Sequence, residues 1–254
     1  MKKYIITLII ITMAGIGAHA QYRIIHAYSL YGGYGFFKSD FGSRRDWRTN
    51  FSNNSAQIGI RLYFNLFPYY TASISHFRYY LGIEGIKGYL THKGYWADKN
   101  SPMAQKLRAM TANPVLAGAN VGMEYWIQDL RYYDYSRLYG IYRFNFYIGG
   151  SVNGYYYQPN VKSSLGNIDD PVEQQDILFP RFIGHIYNQK GFAFAATVKF
   201  GFTYQLNDYF HLFWEHPFTW FPNDKVDGLD VNDKADRYAD WIYTPVIGIS
   251  YILP

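Results

Sequence analysis

The feature that most constrains the fold is a set of segments in which apolar and polar residues alternate one by one. In residues 57–66 every second side chain is apolar, and the set between them includes the charged Arg61; residues 142–151 and 196–203 repeat the pattern. Successive side chains of a β-strand point to opposite faces, so each segment has one apolar and one polar face. In a soluble sandwich the apolar face covers a core, whereas in an outer-membrane barrel it faces lipid.

Eight strands are predicted, at residues 27–37, 56–66, 77–90, 115–126, 142–156, 192–204, 209–218 and 241–253. Most are long enough to cross a membrane as a tilted strand, which needs about 9–11 residues. The predicted connections alternate between long and short without exception, and we expect the third long one to be a surface excursion. This alternation is typical of long extracellular loops and short periplasmic turns. The sequence therefore predicts an all-β fold, an eight-stranded antiparallel up-and-down transmembrane β-barrel with long extracellular loops.

The first residues have the pattern of an export signal. Lys2 and Lys3 precede an apolar run at residues 5–13, and Ala18 and Ala20 fit the small-residue pattern of a cleavage site. The run is too short for a membrane-spanning helix, which needs about 20 apolar residues. We therefore expect residues 1–20 to be a cleaved signal peptide and residues 21–254 to form an outer-membrane barrel.

The last strand carries a second targeting pattern. Gly248, Tyr251 and Leu253 match the terminal signal that the outer-membrane assembly machinery reads, with departures at Val246 and Pro254. An ordinary final strand of a sheet is the alternative interpretation. The expected location is the outer membrane.

Composition narrows the function. The chain has no cysteine, which excludes disulfides, thiolate catalysis and cysteine metal sites. Its 24 basic and 19 acidic residues are a mild excess that predicts no nucleic-acid partner. Aromatic residues make up 21% of the chain and include 28 tyrosines, which favour membrane interfaces.

The polar strand faces carry charge of both signs. By strand parity the predicted lumen network consists of Arg61, Arg78, Glu84, Glu124, Arg143, Lys199, His211 and Glu215. An eight-stranded barrel is only just wide enough for its side chains, and glycines on the same face make room for long ones. Because an unpaired buried charge costs several kcal/mol, we expect these charges to pair into a plug with no open pore. A proton or ion path is the alternative.

Two local features add expectations. Strict alternation sends Lys87 toward lipid, so we expect either a bulge at Gly85 that returns it to the lumen or a position near the rim where it snorkels. In the second long loop, Ser101 and Pro102 predict a short helix over residues 103–110, with serine as N-cap.

No residue set predicts catalysis, a cofactor or a metal centre. A barrel that hydrolyses or transfers lipids needs a nucleophile and a base within hydrogen-bond reach, but Glu215 is predicted to face inward and His216 outward, with His211 filling the lumen. The acidic stretch at residues 224–233 has its acids every third residue, which does not match a calcium loop. We expect a solvated turn there, with a loose calcium site as the alternative.

A basic cluster lies in the first long loop. Arg44, Arg45 and Arg48 surround Trp47 and could face lipopolysaccharide phosphates, although a solvated loop is an equally good interpretation.

Several loop segments resemble a small outer-membrane protein family of Bacteroidota. They are Gly32-Gly33, residues 36–42, residues 48–50, residues 164–170 and the stretch from Trp220 to Leu229. The resemblance implies an outer-membrane β-barrel. Related small barrels of these bacteria are similar to accessory proteins of the type IX secretion and gliding apparatus. The resemblance implies no catalytic residues.

These observations favour a non-enzymatic barrel whose loops or turns dock a partner, as in a secretion or cell-surface complex. Its expected partners are outer-membrane lipids, the outer-membrane assembly machinery and a protein. The alternatives are a small-solute transporter or channel, a lipid-modifying enzyme, and a soluble periplasmic sandwich or lipocalin-like barrel.

Overall fold

A computed structural model describes residues 25–41, 51–64, 76–128, 143–223, 225–231 and 240–253. The predicted signal peptide, Arg44, Arg45, Trp47 and Arg48 lie outside these residues. The strands are β1 Ile25–Lys38, β2 Asn54–Phe64, β3 Phe77–Thr91, β4 Met110–Ala112, β5 Val115–Trp126, β6 Phe144–Gln158, β7 Val161–Ser163, β8 Gly191–Gln205, β9 Phe210–Trp220, β10 Trp241–Tyr243 and β11 Val246–Ile252. The helices are α1 Pro102–Ala109 and α2 Pro171–Ile177, and a 3-10 turn covers Pro180–Phe182. Among the described residues, no helix is both long and apolar enough to span a bilayer.

The sheet closes on itself. Strand β1 pairs antiparallel with β2 on one side and with β11 on the other, and the ring continues through β3, β5, β6, β8 and β9. Strand β10 continues β11 in one register, because Tyr243 lies opposite Phe36 and Val246 lies opposite Gly33. The predicted eight-stranded antiparallel up-and-down barrel is confirmed.

The last strand has an interruption that was not predicted. Its ladder stops at Thr244 and Pro245 and resumes at Val246, against both β1 and β9. Proline has no backbone N–H to donate to a ladder, which accounts for the gap.

The predicted strict alternation of loop lengths is wrong. The connection from Trp126 to Phe144 is longer than the one from Lys38 to Asn54, although it was predicted to belong to the short set. We refer to the end of the barrel that carries the β1–β2, β3–β5, β6–β8 and β9–β10 connections as the long-loop end. The other end, where β8 turns into β9, is the turn end.

The outer surface of the barrel is an apolar belt. Outward side chains at mid-strand are exposed and aliphatic, such as Ile58, Ile83 and Val198 at 62–66% exposure. Aromatic residues flank them at both ends: Tyr28, Tyr125, Phe144, Phe210 and Tyr251 at the turn end, and Tyr34, Tyr89, Tyr156, Phe192 and Trp220 at the long-loop end. An apolar band between two aromatic girdles is the lipid-facing surface of a transmembrane barrel, and such barrels lie in outer membranes. The chain is therefore an outer-membrane barrel.

Lys87 lies near the rim, in agreement with one of the two expectations. The pairing of β3 with β2 and β5 runs through Gly85 without a register shift, so the predicted bulge is absent from this part of the structure. Lys87 is exposed on the outer face and lies opposite Val115, the first residue of β5. An ammonium group at that height reaches the headgroups without crossing hydrocarbon.

The long-loop end is covered by an apolar core, which we call the cap. Its elements include β4, which pairs with the end of β3 and with β7, and helix α1, whose Ser101 side chain accepts from the Ala104 amide as predicted. Buried residues of the loops and of the strand ends form one cluster, which includes Phe37, Leu90, Leu107, Leu116, Ile177, Leu178, Phe182, Phe221, Leu229 and Ile242.

The third long loop lies at the surface through its polar residues, but it also buries Ile177, Leu178 and Phe182 in the cap, which was not predicted. The expectation that the acidic stretch is a solvated turn is wrong for its described residues: Asp227 is fully buried and accepts from the amides of Leu229 and Asp40. The apolar residues of these loops are isolated among polar ones and follow neither a strand nor a helix period. No pattern in the sequence therefore predicts that they form a core.

Candidate functional site

The candidate site is the charged network inside the barrel. Its centre is an ion pair across the lumen, between Arg61 on β2 and Glu215 on β9. The guanidinium donates through Nη1 to Oε2 at 2.9 Å and through Nη2 to Oε1 at 2.7 Å. Both side chains are almost fully buried. Two parallel charge-assisted bonds fix the geometry as well as the charge balance.

Lys199 extends this pair into a chain of four charges. Its Nζ lies 2.8 Å from Oε1 of Glu124 and 2.9 Å from Oε2 of Glu215. The same ammonium group lies 4.0 Å from the centroid of the Tyr80 ring. Two cations and two carboxylates therefore alternate across the lumen, which leaves this part of the network neutral.

Aromatic donors add further hydrogen bonds to the two carboxylates. Tyr147 donates its hydroxyl to Glu215 at 3.0 Å. Tyr63 donates to Glu124 at 3.2 Å, and the Trp126 indole donates to the same carboxylate at 3.1 Å. A buried ion pair stabilises a fold only when its remaining hydrogen-bonding capacity is also met, and here neutral donors supply that capacity.

Glu84 is held differently, by neutral donors alone among the described residues. It accepts from the Tyr31 hydroxyl at 2.5 Å, from the Gln57 amide at 2.9 Å and from the Tyr155 hydroxyl. The Tyr31 ring connects it to the charged chain, because the Arg61 guanidinium lies 4.2 Å from the centroid of that ring.

Arg78 lies nearer the turn end and is held mainly by rings. Its guanidinium is 3.8 Å from the centroid of the Tyr63 ring and 5.4 Å from that of Trp126. It is buried, and its Nε and Nη2 have no hydrogen-bond partner within the described ranges. Glu124 is its cross-strand neighbour, but that carboxylate binds Lys199 instead.

Two further predicted members lie elsewhere. His211 is buried on the inward face of β9, near the turn end. The prediction that Arg143 lies in the lumen is wrong: it is exposed and precedes the first residue of β6, where its guanidinium contacts the hydroxyl of the outward-facing Tyr204 at 3.5 Å. The prediction applied the strand period to Arg143, which lies one residue before β6 begins.

Sequence reasoning missed the tyrosines that fill the lumen. Tyr31, Tyr80 and Tyr155 each lie against a glycine of a neighbouring strand, where an added Cβ would overlap the ring. The glycines concerned are Gly59, Gly122 and Gly118, respectively. The two-residue strand period puts each tyrosine and its glycine on the inward face, but the tyrosines were expected at membrane interfaces.

A layer of small polar side chains separates the network from the cap. Ser55 and Thr244 share a hydrogen bond of 2.8 Å, as do Thr197 and Thr219, and Asn153 donates to Thr197 at 2.7 Å. The lumen therefore changes from charges to hydroxyls to apolar side chains toward the long-loop end.

The residues considered for lipid chemistry do not assemble. His216 is on the outer face, where its Nδ1 lies 2.7 Å from the Tyr243 hydroxyl, while His211 and Glu215 are inside the barrel wall. A nucleophile, base and acid that act together must lie within hydrogen-bond reach.

No protein-family model and no curated protein sequence matches this chain. Among solved structures, Neisserial surface protein A matches with 8% identity and a TM-score of 0.49, over 90% of this chain and 97% of that one. A major outer membrane protein of Thermus thermophilus matches with 11% identity and a TM-score of 0.46, over 89% and 98%. The attachment invasion locus protein Ail of Yersinia pestis matches with 10% identity and a TM-score of 0.40, over 90% and 99%. At these identities the similarity transfers no role.

Proposed function

We propose that this protein is a non-enzymatic, non-conducting outer-membrane barrel that serves as a docking component, with the cap as its interaction surface. The observation that carries the proposal is the chain Arg61–Glu215–Lys199–Glu124, whose charged groups are almost fully buried. A lumen filled in this way by described side chains supports the folded wall and favours a closed, non-conducting barrel. Loops that pack into an ordered core on a rigid barrel are suitable recognition surfaces.

The cap also exposes apolar side chains that a partner could cover. Val172 on α2 is 78% exposed, and Leu165 is exposed in the same connection. With the long-loop end outside the cell, as in other outer-membrane barrels, these residues face the surroundings of the cell. The loop segments that resemble Bacteroidota barrels favour a complex of the type IX secretion or gliding kind.

Conductance tests the closed lumen. We expect purified protein in planar bilayers to give no conductance above background. Steady single-channel conductance of the wild type would instead support the transporter or channel alternative.

Site-specific crosslinking tests the docking role. A photo-crosslinking residue at Val172 should capture a discrete protein partner in native membranes. The same residue at Asn207, in the β8–β9 turn at the opposite end, is the matched control. Equal capture at both positions, or none at Val172, would contradict docking through the cap.

We further propose that the outer-membrane assembly machinery reads the last strand. Gly248 faces the lumen and Tyr251 faces outward near the turn end. Replacing Tyr251 by serine should delay the appearance of the heat-modifiable folded band in a pulse-chase experiment. Unchanged kinetics would contradict this role. Native membrane fractions should also contain the wild-type protein as a heat-modifiable outer-membrane band, and a soluble periplasmic band would contradict the proposal as a whole.

A further inference from the structure

The outer face of β3 changes character toward its long-loop end. Leu81 and Ile83 are exposed and aliphatic, whereas Lys87 and Tyr89 follow on the same face. An outward lysine is tolerated at an interface but costs about 2–4 kcal/mol at the bilayer midplane. The hydrocarbon boundary therefore falls between Ile83 and Lys87, and the end of β3 from Tyr89 onward lies in or above the headgroups.

The turn that follows β3 presents two exposed aromatic rings beside a cation. Tyr95 and Trp96 are 68% and 62% exposed and meet edge to face, with ring centroids 5.3 Å apart. The Lys99 ammonium lies 3.9 Å from the Trp96 ring centroid and 4.3 Å from that of Tyr95. Arg108 on α1 donates to the carbonyls of Ala97 and Lys99, so the turn is tied to helix α1.

The segment is basic, and its outer lysines form no ion pair with a described carboxylate. Residues 87–108 contain five basic side chains and one acidic side chain, Asp98. Lys106 and Arg108 bind backbone carbonyls. Lys87, Lys93 and Lys99 have no ion pair within the described part of the chain. An anionic partner is the electrostatic complement of this surface.

The height of the surface identifies the kind of anion. With about 2.5 Å of rise per tilted residue, the last residues of β3 beyond Lys87 reach roughly 10 Å past the hydrocarbon boundary. A phospholipid headgroup layer is only about 5–7 Å deep on each side. A partner that contacts Lys87 and also the residues after the end of β3 extends past a simple phosphate headgroup. Phosphate is the complement of the lysines, and a sugar ring is a complement of the exposed Trp96 indole.

We propose that the rim of β3 and the turn at residues 93–99 bind the phosphorylated saccharide headgroup of a lipopolysaccharide in the outer leaflet. Lys87, Lys93 and Lys99 donate to phosphate oxygens, and the exposed face of Trp96 packs on a sugar ring. The inference uses the orientation given under the proposed function, with the long-loop end outside the cell. It does not depend on which protein docks on the cap.

Native mass spectrometry of the full barrel in zwitterionic detergent tests this site, with lipid A carrying two phosphates as the probe. We expect the double substitution Lys93→Gln and Lys99→Gln to weaken binding roughly tenfold or more, and Trp96→Leu to weaken it a few-fold. The matched control is Lys162→Gln with Lys190→Gln, two exposed lysines of the cap in another connection, which should leave the affinity unchanged. Dephosphorylated lipid A should bind weakly to all of these proteins.

Heat-modifiable migration of each variant verifies the folded barrel before binding is measured. Unchanged lipid A affinity of the Lys93/Lys99 double variant would overturn the site, as would equal affinity for phosphorylated and dephosphorylated lipid A. Either result would leave the conductance and Val172 crosslinking outcomes untouched, so failure of this inference is distinguishable from failure of the proposed function.

Discussion

The barrel is filled in two different ways along its axis. Below the cap, Arg61, Glu215, Lys199 and Glu124 form a charged chain whose members lie on strands and whose partners are fixed by register. At the long-loop end the filling is apolar and comes largely from loops. The charged region gains specificity from directional bonds, but its stability depends on every partner being present. The cap depends on packing, in which the loss of one side chain is a local defect.

The largest expected effect is in the charged region. Glu215→Leu removes the shared partner of Arg61 and Lys199. Lys199 keeps Glu124, but Arg61 is left buried with no carboxylate partner among the described residues, so we expect the free energy of unfolding to fall by about 3–5 kcal/mol. Urea titration of the purified barrel, followed by the heat-modifiable gel shift, measures this change.

Two neighbouring substitutions sharpen the same test. Arg61→Leu leaves Glu215 with Lys199 and Tyr147, and Glu124→Leu leaves Lys199 with Glu215, so both should destabilise the barrel less than Glu215→Leu. Unchanged urea midpoints for all three variants would show that the charges do not support the barrel wall.

The second effect should be confined to the cap. Leu178 is fully buried there, and Leu178→Ala should reduce the local stability by about 2–5 kcal/mol through the cavity it leaves. Hydrogen exchange in the cap loops should accelerate while exchange in the barrel strands stays the same. The exposed Val172→Ala on α2 is the matched control. Faster exchange throughout the strands would mean that cap and barrel unfold as one unit, and the distinction between the two regions would fail.

The third prediction concerns the pH dependence of cap stability, which involves a histidine at the contact of three loops. His92 follows β3 and stacks between Phe41 and Phe182, with ring centroids 4.6 Å and 5.1 Å away. Burial, with a contribution from the nearby Arg181, lowers the pKa of His92 to about 3. The unfolded chain therefore binds a proton at His92 more readily than the folded cap does. The contribution of neutral His92 to the stability of the cap is complete above a pH of about 6.5 and declines as the pH falls toward 3.

At pH 5 we expect the cap to lose about 2 kcal/mol relative to pH 7 from this residue alone. Limited proteolysis at the two pH values measures the loss. His92→Phe keeps the ring stack without a titrating group and should be cleaved at a less pH-dependent rate. An identical pH dependence in the two proteins would assign the effect to other groups.

A position that depends on one strand alone could be predicted from the sequence, whereas contacts between distant strands or loops could not. The inward position of Arg61 depends only on the two-residue period of its own strand, so parity predicts it. Its pairing with Glu215 joins β2 to β9 and depends on the register of the whole barrel, which no local pattern contains. The cap could not be predicted because residues such as Leu178 and Phe182 have no period and become neighbours only after the barrel closes.

The smallest expected effect is at Arg78, and it tests whether charge itself or charge pairing stabilises the lumen. The ring contacts of its guanidinium stabilise the fold by about 0.5–2 kcal/mol, whereas burying a charge that has no carboxylate partner among the described residues destabilises it. These terms nearly cancel, so Arg78→Leu should change the free energy of unfolding by less than about 1 kcal/mol, measured by the same urea titration. A loss as large as that of Glu215→Leu would mean that Arg78 stabilises the network through Glu124, its cross-strand neighbour. The charged chain would then include Arg78, and charge pairing would no longer distinguish the four-charge chain from a cation held by rings.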